Sequence, residues 1–287
     1  MSFLLLGLSV VLSTSRNLLS KKLSNLQFGT KPFFLCQSVL FTCGIIPLLI
    51  FGEISFEISF QTLIYAIIYA FLLIIAQWFY TSALTKGNTA LCATVYSLGF
   101  ILPTLSGAIF WEETLSVLDI LGIVCAVAVI VISGSKSKEK AKKTNLVYFI
   151  LLIFAMLASG GLGIVQKIQQ ASPFASQKSI FLLVAFLISA TTSLLTCAFT
   201  PNPKEKVLHP QNFIVASCIG VFFGCCNLLN TILAGLLDTA VFFPTLNICT
   251  ILLSSLCATL FFREKIAIKE ILVLILGGAS ILLLNLG

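Results

Sequence analysis

The chain has 287 residues, of which 59% are hydrophobic and only 9% are charged, and its mean hydropathy is +1.11. Soluble domains carry about 25% charged residues, so this composition indicates a polytopic membrane protein without a soluble catalytic domain. The formal net charge is +7 at pH 7. The placement of the basic residues explains this charge without a nucleic-acid partner.

Ten apolar stretches fill nearly the whole sequence, and each is about long enough to cross a ~30 Å hydrocarbon core as a helix of about 20 residues. They are continuously apolar rather than alternating, which favours helices over barrel strands. The first stretch lacks a basic leading region and a small-x-small cleavage site, so a helix is predicted there rather than a signal peptide. The predicted spans are 2–20, 32–51, 60–84, 89–111 and 117–134, followed by 146–169, 179–199, 212–235, 239–261 and 268–286.

The two sets of five spans are joined by a lysine-rich stretch, residues 135–145. Such like-charged runs are solvated, and basic residues in short connections favour the cytoplasmic side. Fifteen of the 17 basic residues lie in or beside the odd-numbered connections. Both termini are therefore predicted to lie outside the cytoplasm, in a multi-pass protein of the plasma (inner) membrane.

An odd number of spans per set makes the second set start on the opposite side, so the two halves would be inverted copies. A shift of 151 positions places Glu113, in the run Phe-Trp-Glu-Glu, opposite Glu264, in the run Phe-Phe-Arg-Glu. The predicted fold is an all-α membrane protein with ten transmembrane helices as two inverted five-helix repeats. The predicted divisions are a first repeat, 1–134, a basic cytoplasmic linker, 135–145, and a second repeat, 146–287.

Polar side chains recur on one face of the third and eighth predicted spans, at a shift of 150 positions. Their i, i+3, i+4 spacing puts each trio on one helical face. Polar groups in lipid are unfavourable unless they face a protein interior or a wet cavity, so the trios are interpreted as a cavity lining. The alternative is interhelical hydrogen bonding that only holds helices together. The candidate substrate contacts are Gln77, Tyr80 and Thr81, with Asn227, Asn230 and Thr231 opposite them.

The chain resembles EamA-like members of the drug/metabolite transporter superfamily over its whole length. The resemblance lies in the five-plus-five spans, the basic linker, and the aromatic-Glu motif before a Gly/Ala/Ile/Leu-rich last span in each half, at Glu113 and Glu264. It implies transport of a small metabolite by alternating access through a central cavity between the repeats, without nucleotide hydrolysis. The family's substrates include amino acids, nucleotide sugars, phosphorylated sugars and drugs. Family members are usually drawn with both termini in the cytoplasm, whereas the basic residues here predict the opposite.

Three more side chains are candidate substrate contacts. Trp78, with Tyr80 and Tyr96, could stack on a flat substrate, although Trp and Tyr also concentrate at membrane interfaces. Tyr96 and Asn247 are related by the 151-residue shift, which favours an inward-facing role for both.

Three basic residues near or inside spans are candidate anion contacts. Lys22 and Lys167 lie near the ends of the first and sixth spans and resemble the lysines with which phosphate-exchanging relatives hold anions. Snorkelling of the long stems to the headgroups is the alternative. Arg16 lies about one turn inside the apolar run, and an intramembrane charge is a functional hypothesis by default, unless the first helix ends early.

The inventory of reactive residues argues against an enzyme, a cofactor or a metal site. The ten cysteines lie in or at the edges of apolar spans, the single histidine, His209, is in a polar loop, and there is no HExxH, Ser/His/Asp set or P-loop motif. The predicted partners are a small-molecule substrate and the lipid bilayer, with no nucleic acid; a homodimer is left open. A channel and a non-transporting membrane subunit or receptor are the alternative functions.

Overall fold

The computed structural model describes residues 2–24, 30–54, 57–86, 95–134, 146–200, 210–262 and 268–286. These parts contain ten α-helices and no strand. The predicted linker, 135–145, lies outside the described residues. The helices are α1 (Ser2–Ser24), α2 (Thr30–Phe51), α3 (Phe60–Lys86), α4 (Ile101–Phe110), α5 (Val117–Gly134), α6 (Leu146–Ala171), α7 (Lys178–Phe199), α8 (Pro210–Leu236), α9 (Thr239–Phe262) and α10 (Ile268–Leu286).

The all-α prediction is confirmed, because the described residues are mostly helical and contain no strand. Six helices among the described residues are long and apolar enough to cross a membrane, which makes this a multi-pass membrane protein. The six candidate spans are Ser2–Ser20, Lys31–Phe51, Phe60–Tyr80, Val147–Ala171, Ala175–Phe199 and Gln211–Leu236. The remaining apolar helical segments are shorter as described: Val95–Phe110, Val117–Ile132, Thr239–Ser254 and Ile275–Leu284.

The helices group into two compact units, and each unit draws on both halves of the sequence. Unit 1 contains Phe3–Ile74 and Ile168–Ile232, and unit 2 contains Ile75–Lys167 and Leu233–Gly287. Helices α3, α6 and α8 contribute residues to both units. The units therefore differ from the predicted sequence repeats, which are continuous along the chain.

In unit 1, α2 packs along α7 and approaches α8 through small residues. The rings of Phe41 and Phe186 meet edge to face, with centroids 5.9 Å apart. Gly220 and Gly224 form a GxxxG pair on α8, and a Cβ on Gly224 would collide with the backbone carbonyl oxygen of Gly44. Small residues are needed here because the helix backbones are in contact, the usual basis of close packing between membrane helices.

In unit 2, α5 packs along α10, and α9 contacts α4, α5 and α10. The Ser280 hydroxyl of α10 donates to the Gly122 carbonyl oxygen of α5 at 2.6 Å. Helix α5 begins with a capping box, in which the Asp119 amide donates to Ser116 Oγ at 3.1 Å and the Ser116 amide donates to Asp119 Oδ2 at 2.9 Å. Asp119 thus lies in the first turn of α5 and caps it.

Candidate functional site

Helices α1 and α8 of unit 1 meet along polar side chains spaced about one helical turn apart. Residue numbers rise along α1 from Ser9 to Arg16 while those of their partners on α8 fall from Asn230 to Phe223, so the two helices are antiparallel. Ser9 Oγ donates to Asn230 Oδ1 at 2.6 Å, and the Ser13 hydroxyl lies 3.4 Å from the Cys226 sulfur. We call this set the α1–α8 seam; its members are Ser9, Ser13 and Arg16 of α1 and Phe223, Cys226 and Asn230 of α8.

Arg16 is the charged member of the α1–α8 seam, and it lies inside the candidate span Ser2–Ser20. Its guanidinium carbon is 4.9 Å from the centroid of the Phe223 ring. A cation over a ring face is attracted by the ring quadrupole, by about 0.5–2 kcal/mol depending on desolvation. Within the described part of the chain, Arg16 has no carboxylate partner; the ion pair seen there joins Lys167 and Glu113.

Asn227, one turn from Asn230 on α8, has protein partners for both ends of its amide. The Tyr69 hydroxyl of α3 donates to Asn227 Oδ1 at 2.5 Å, and Asn227 Nδ2 donates to the Phe223 carbonyl oxygen at 2.8 Å. Thr231 Oγ1 in turn donates to the Asn227 carbonyl oxygen at 2.8 Å. Asn227 and Asn230 therefore contact different helices, α3 and α1, although both come from the same predicted face.

A second polar cluster, in unit 2, surrounds the carboxylate of Glu113. Lys167 Nζ of α6 lies 2.7 Å from Glu113 Oε1 and donates to the Leu237 carbonyl oxygen at 3.4 Å. The backbone N–H of Thr239, the first residue of α9, donates to Glu113 Oε2 at 2.8 Å, and its hydroxyl donates to the same oxygen at 2.5 Å. We call Glu113, Lys167 and Thr239 the Glu113 clasp, because it ties the end of α4 to α6 and α9.

The turn after α4 brings Glu113 into this position. The amides of Trp111 and Glu113 both donate to the Gly107 carbonyl oxygen, at 3.0 and 3.3 Å. Glu112 has a φ of 54°, the left-handed conformation that often terminates helices. Gly107 is required here, because a Cβ would collide with Thr239 Oγ1 and Glu113 Oε2.

The charges of the Glu113 clasp are buried but paired. The side chains of Lys167 and Glu113 are 12% and 9% exposed. The Glu113 carboxylate also lies at the N-terminus of α9, where backbone N–H groups lack helical partners and the helix dipole favours an anion. The ammonium of Lys167 is thus held by a carboxylate of the chain itself, and its predicted contact with an external anion stays a prediction.

The other predicted site residues lie in several environments. In unit 2, the rings of Tyr80 and Tyr96 pack with centroids 4.7 Å apart, and the half-exposed Trp78 ring stacks on Phe79. Gln77 is partly buried on α3, and Asn247 Nδ2 donates to the Phe243 carbonyl oxygen one turn back on α9 at 2.8 Å. The side chains of Thr81 and Lys22 lie outside the described residues.

Sequence reasoning missed both the α1–α8 seam as a unit and the Glu113 clasp. The i, i+4, i+7 spacing of Ser9, Ser13 and Arg16 was a usable signal for the seam, because it places all three on one helical face. For the Glu113 clasp, the usable signal was the predicted topology. In that topology spans four and six end on the same side of the membrane, which places Glu113 and Lys167 at one surface. Within the described residues, no group of three or more His, Cys, Asp or Glu side chains could hold a metal ion.

Comparison with family models gives no match, and no curated protein matches the sequence either. The chain is similar in structure to a solved structure described only as "Crystal structure of protein". That similarity has a TM-score of 0.79 at 16% sequence identity and covers 99% of this chain and 96% of the other. At this identity the likeness shows the fold alone: this whole-chain helical arrangement occurs in another protein.

Proposed function

We propose that this chain is a secondary transporter, similar to the EamA-like members of the drug/metabolite transporter superfamily, that moves a small organic metabolite by alternating access. The proposal rests mainly on one observation: helices that hold the same place in the two predicted repeats pack against each other. Within unit 1, α2 packs along α7, and within unit 2, α5 packs along α10. These are the second and the fifth helices of the two predicted repeats. Inverted repeats of this kind underlie many secondary transporters.

A third pair of helices that hold the same place in the two predicted repeats is also in contact. Helices α4 and α9 are the fourth helices of the two halves, and they contact each other in unit 2. Thr104 Oγ1 lies 3.4 Å from the Thr239 carbonyl oxygen, and Thr239 Oγ1 lies 3.4 Å from the Thr104 carbonyl oxygen. Each hydroxyl donates its proton to a nearer acceptor, the Phe100 carbonyl oxygen and Glu113 Oε2 respectively. These contacts hold the first residue of α9 against α4.

Ten crossings, rather than six, fit the lengths of the helices. At about 1.5 Å per residue, the 24 residues of α9 extend about 36 Å and the 19 residues of α10 about 28 Å. Both lengths are comparable to a ~30 Å hydrocarbon core. Helix α5 has 18 residues, of which one, Asp119 in the first turn, is acidic and the other 17 are apolar or small. Residues 95–100, directly before α4, are also helical.

The placement of polar groups favours transport over a purely structural role. Ionisable residues inside membrane spans are unfavourable, and they commonly mark substrate or ion pathways. Arg16 lies inside a candidate span and contacts an aromatic ring rather than a carboxylate of the described chain. Secondary transport needs only such a polar pathway and two conformations, and no reactive catalytic group.

Solute flux through the purified protein tests this proposal. Comparing metabolite pools by mass spectrometry between overexpressing and deletion cells identifies candidate solutes, which are then assayed in proteoliposomes. A transporter is expected to give saturable uptake that accelerates when unlabelled solute is present on the opposite side. A channel would give flux without such acceleration, and a receptor or silent subunit would give no flux; either result would refute the proposal.

The predicted substrate contacts are tested in the same assay. Replacing Gln77, Tyr80, Asn227 and Asn230 together by Ala or Phe is expected to abolish uptake while the protein still inserts into the membrane. Unchanged uptake by that variant would exclude these side chains as substrate contacts and leave the transport proposal in place.

A further inference from the structure

We propose that Arg16 is the anion subsite of this protein and binds the carboxylate or phosphate group of an organic anion. The inference deepens the proposed transport function and rests on it, because it names the class of metabolite that would be moved. It concerns unit 1 alone, where Arg16 and the other members of the α1–α8 seam lie.

The surroundings of Arg16 leave its hydrogen-bonding edge available. The guanidinium carbon lies over the Phe223 ring, 4.9 Å from its centroid, and within the described residues no hydrogen bond from the guanidinium is seen. The five N–H donors of a guanidinium form a planar fork that matches two oxygens of a carboxylate or phosphate. Among the described residues no carboxylate pairs with Arg16. A permanently charged group within a span is thus left with a ring as its protein partner.

Lys167, near the end of the sixth span, shows how this chain satisfies another cation on an apolar helix. Lys167 Nζ holds the Glu113 carboxylate at 2.7 Å. The same chemistry at Arg16 requires a carboxylate or phosphate from elsewhere. Glu264, which the 151-residue shift places opposite Glu113, lies outside the described residues; its carboxylate would compete with such a ligand if it paired with Arg16.

The rest of the α1–α8 seam indicates what else the ligand carries. Ser13 and Ser9 precede Arg16 by about one and two turns of α1, or roughly 5 and 10 Å along the helix axis. The oxygen of the Asn230 amide accepts from Ser9, and its two N–H donors have no acceptor in the described part of the chain. A ligand bound at Arg16 and extending along the seam would meet hydrogen-bonding groups at these distances. The expected ligand is a small anion with a polar group about 5–10 Å from its charge.

Binding of defined anions to the full chain tests the subsite. The probes are 2-oxoglutarate, inorganic phosphate and glucose 6-phosphate, with glucose as the neutral control, at constant ionic strength. Affinity is measured by thermal stabilisation of wild-type protein and variants in nanodiscs. Arg16→Gln is expected to weaken binding of at least one anion about tenfold or more, because charge-assisted hydrogen bonds are lost. Arg16→Lys is expected to retain part of the affinity, and Lys178→Gln, which removes another cation of unit 1, is expected to leave it unchanged.

Several outcomes would overturn the subsite. Equal anion affinity in wild type and Arg16→Gln would show that Arg16 binds no anion. Binding that appears only in Glu264→Gln would show that Glu264 already occupies Arg16. If stability responds to the content of phosphatidylglycerol in an Arg16-dependent way but to none of the soluble probes, the bound phosphate belongs to a lipid headgroup.

Different results would refute the anion subsite and the transport proposal. Saturable uptake of a neutral solute that is unchanged in Arg16→Gln, with no anion binding, would remove the subsite and leave the transporter. Arg16-dependent anion binding without any flux would leave the subsite and remove the transporter.

Discussion

Arg16, on α1 in unit 1, and Lys167, on α6 in unit 2, are both cations on apolar helices, but their surroundings differ. In unit 2, the ammonium of Lys167 is paired with the Glu113 carboxylate at 2.7 Å. In unit 1, the guanidinium of Arg16 lies over the Phe223 ring at 4.9 Å. A ring face is a weaker partner for a cation than a carboxylate in a low-dielectric environment.

The two cations therefore differ in whether the described part of the chain supplies an anion for them. Where the partner is built into the chain, as at Lys167, the charge links helices and is satisfied before any ligand arrives. Where the partner is only a ring, as at Arg16, the charge can still accept an anion. The two cations therefore have different proposed roles, one structural and one in binding.

The largest expected effect is a difference in the free energy of unfolding between a variant of Lys167 and a variant of Arg16. Lys167→Met should lower the free energy of unfolding by about 3–5 kcal/mol, since removing one partner of a buried ion pair leaves the other charge uncompensated. Arg16→Met should lower it by only about 1 kcal/mol, the size of a cation–π contact. Unfolding of the purified protein in nanodiscs, followed by intrinsic fluorescence against temperature or denaturant, measures both.

A double variant controls for the loss of Lys167. Glu113→Gln combined with Lys167→Met removes both charges and should recover much of the lost stability, because no unpaired charge then remains. Similar losses in Lys167→Met and Arg16→Met would contradict the comparison, since both cations would then be structural.

The helical fold was predictable from the sequence, because a membrane core leaves few alternatives. Continuous apolar runs in lipid must satisfy their backbone groups internally and so form helices. For example, the predicted span 60–84 is α3, Phe60–Lys86, and 212–235 is α8, Pro210–Leu236. The helix boundaries follow where polar residues interrupt the runs, as at the Ser116 cap of α5.

The arrangement of the site was less predictable, because it depends on which helices are neighbours. Asn227 and Asn230 share a predicted face, but Tyr69 binds the first and Ser9 binds the second. The Glu113 clasp also joins residues far apart in sequence. Apolar spans carry little information on packing partners, since lipid and helix faces are equally apolar, whereas the basic residue at position 16 was identified from its charge alone.

A smaller loss of stability is expected from Gly107→Ala, which tests the geometry of the Glu113 clasp without changing a charge. Gly107→Ala should lower the free energy of unfolding by about 1–3 kcal/mol, because the new methyl group would overlap Thr239 Oγ1 and Glu113 Oε2. Gly278→Ala is the matched control in unit 2, since a Cβ there meets nothing within 4 Å. The same unfolding measurement applies, and equal stability of the two variants would show that the clasp adapts to the added methyl group.

The smallest effects concern the neutral hydrogen bonds of unit 1. Tyr69→Phe removes the donor to the buried Asn227 Oδ1 and should lower the free energy of unfolding by about 1 kcal/mol. Ser9→Ala removes the donor to Asn230 and should lower it by about 0.6 kcal/mol, the average for hydrogen bonds between membrane helices. The smaller loss is expected at Ser9 because Asn230 is less buried than Asn227. If Ser9→Ala lost more stability than Gly107→Ala, the α1–α8 seam would be a structural contact as strong as the Glu113 clasp, and the distinction between the two regions would fail.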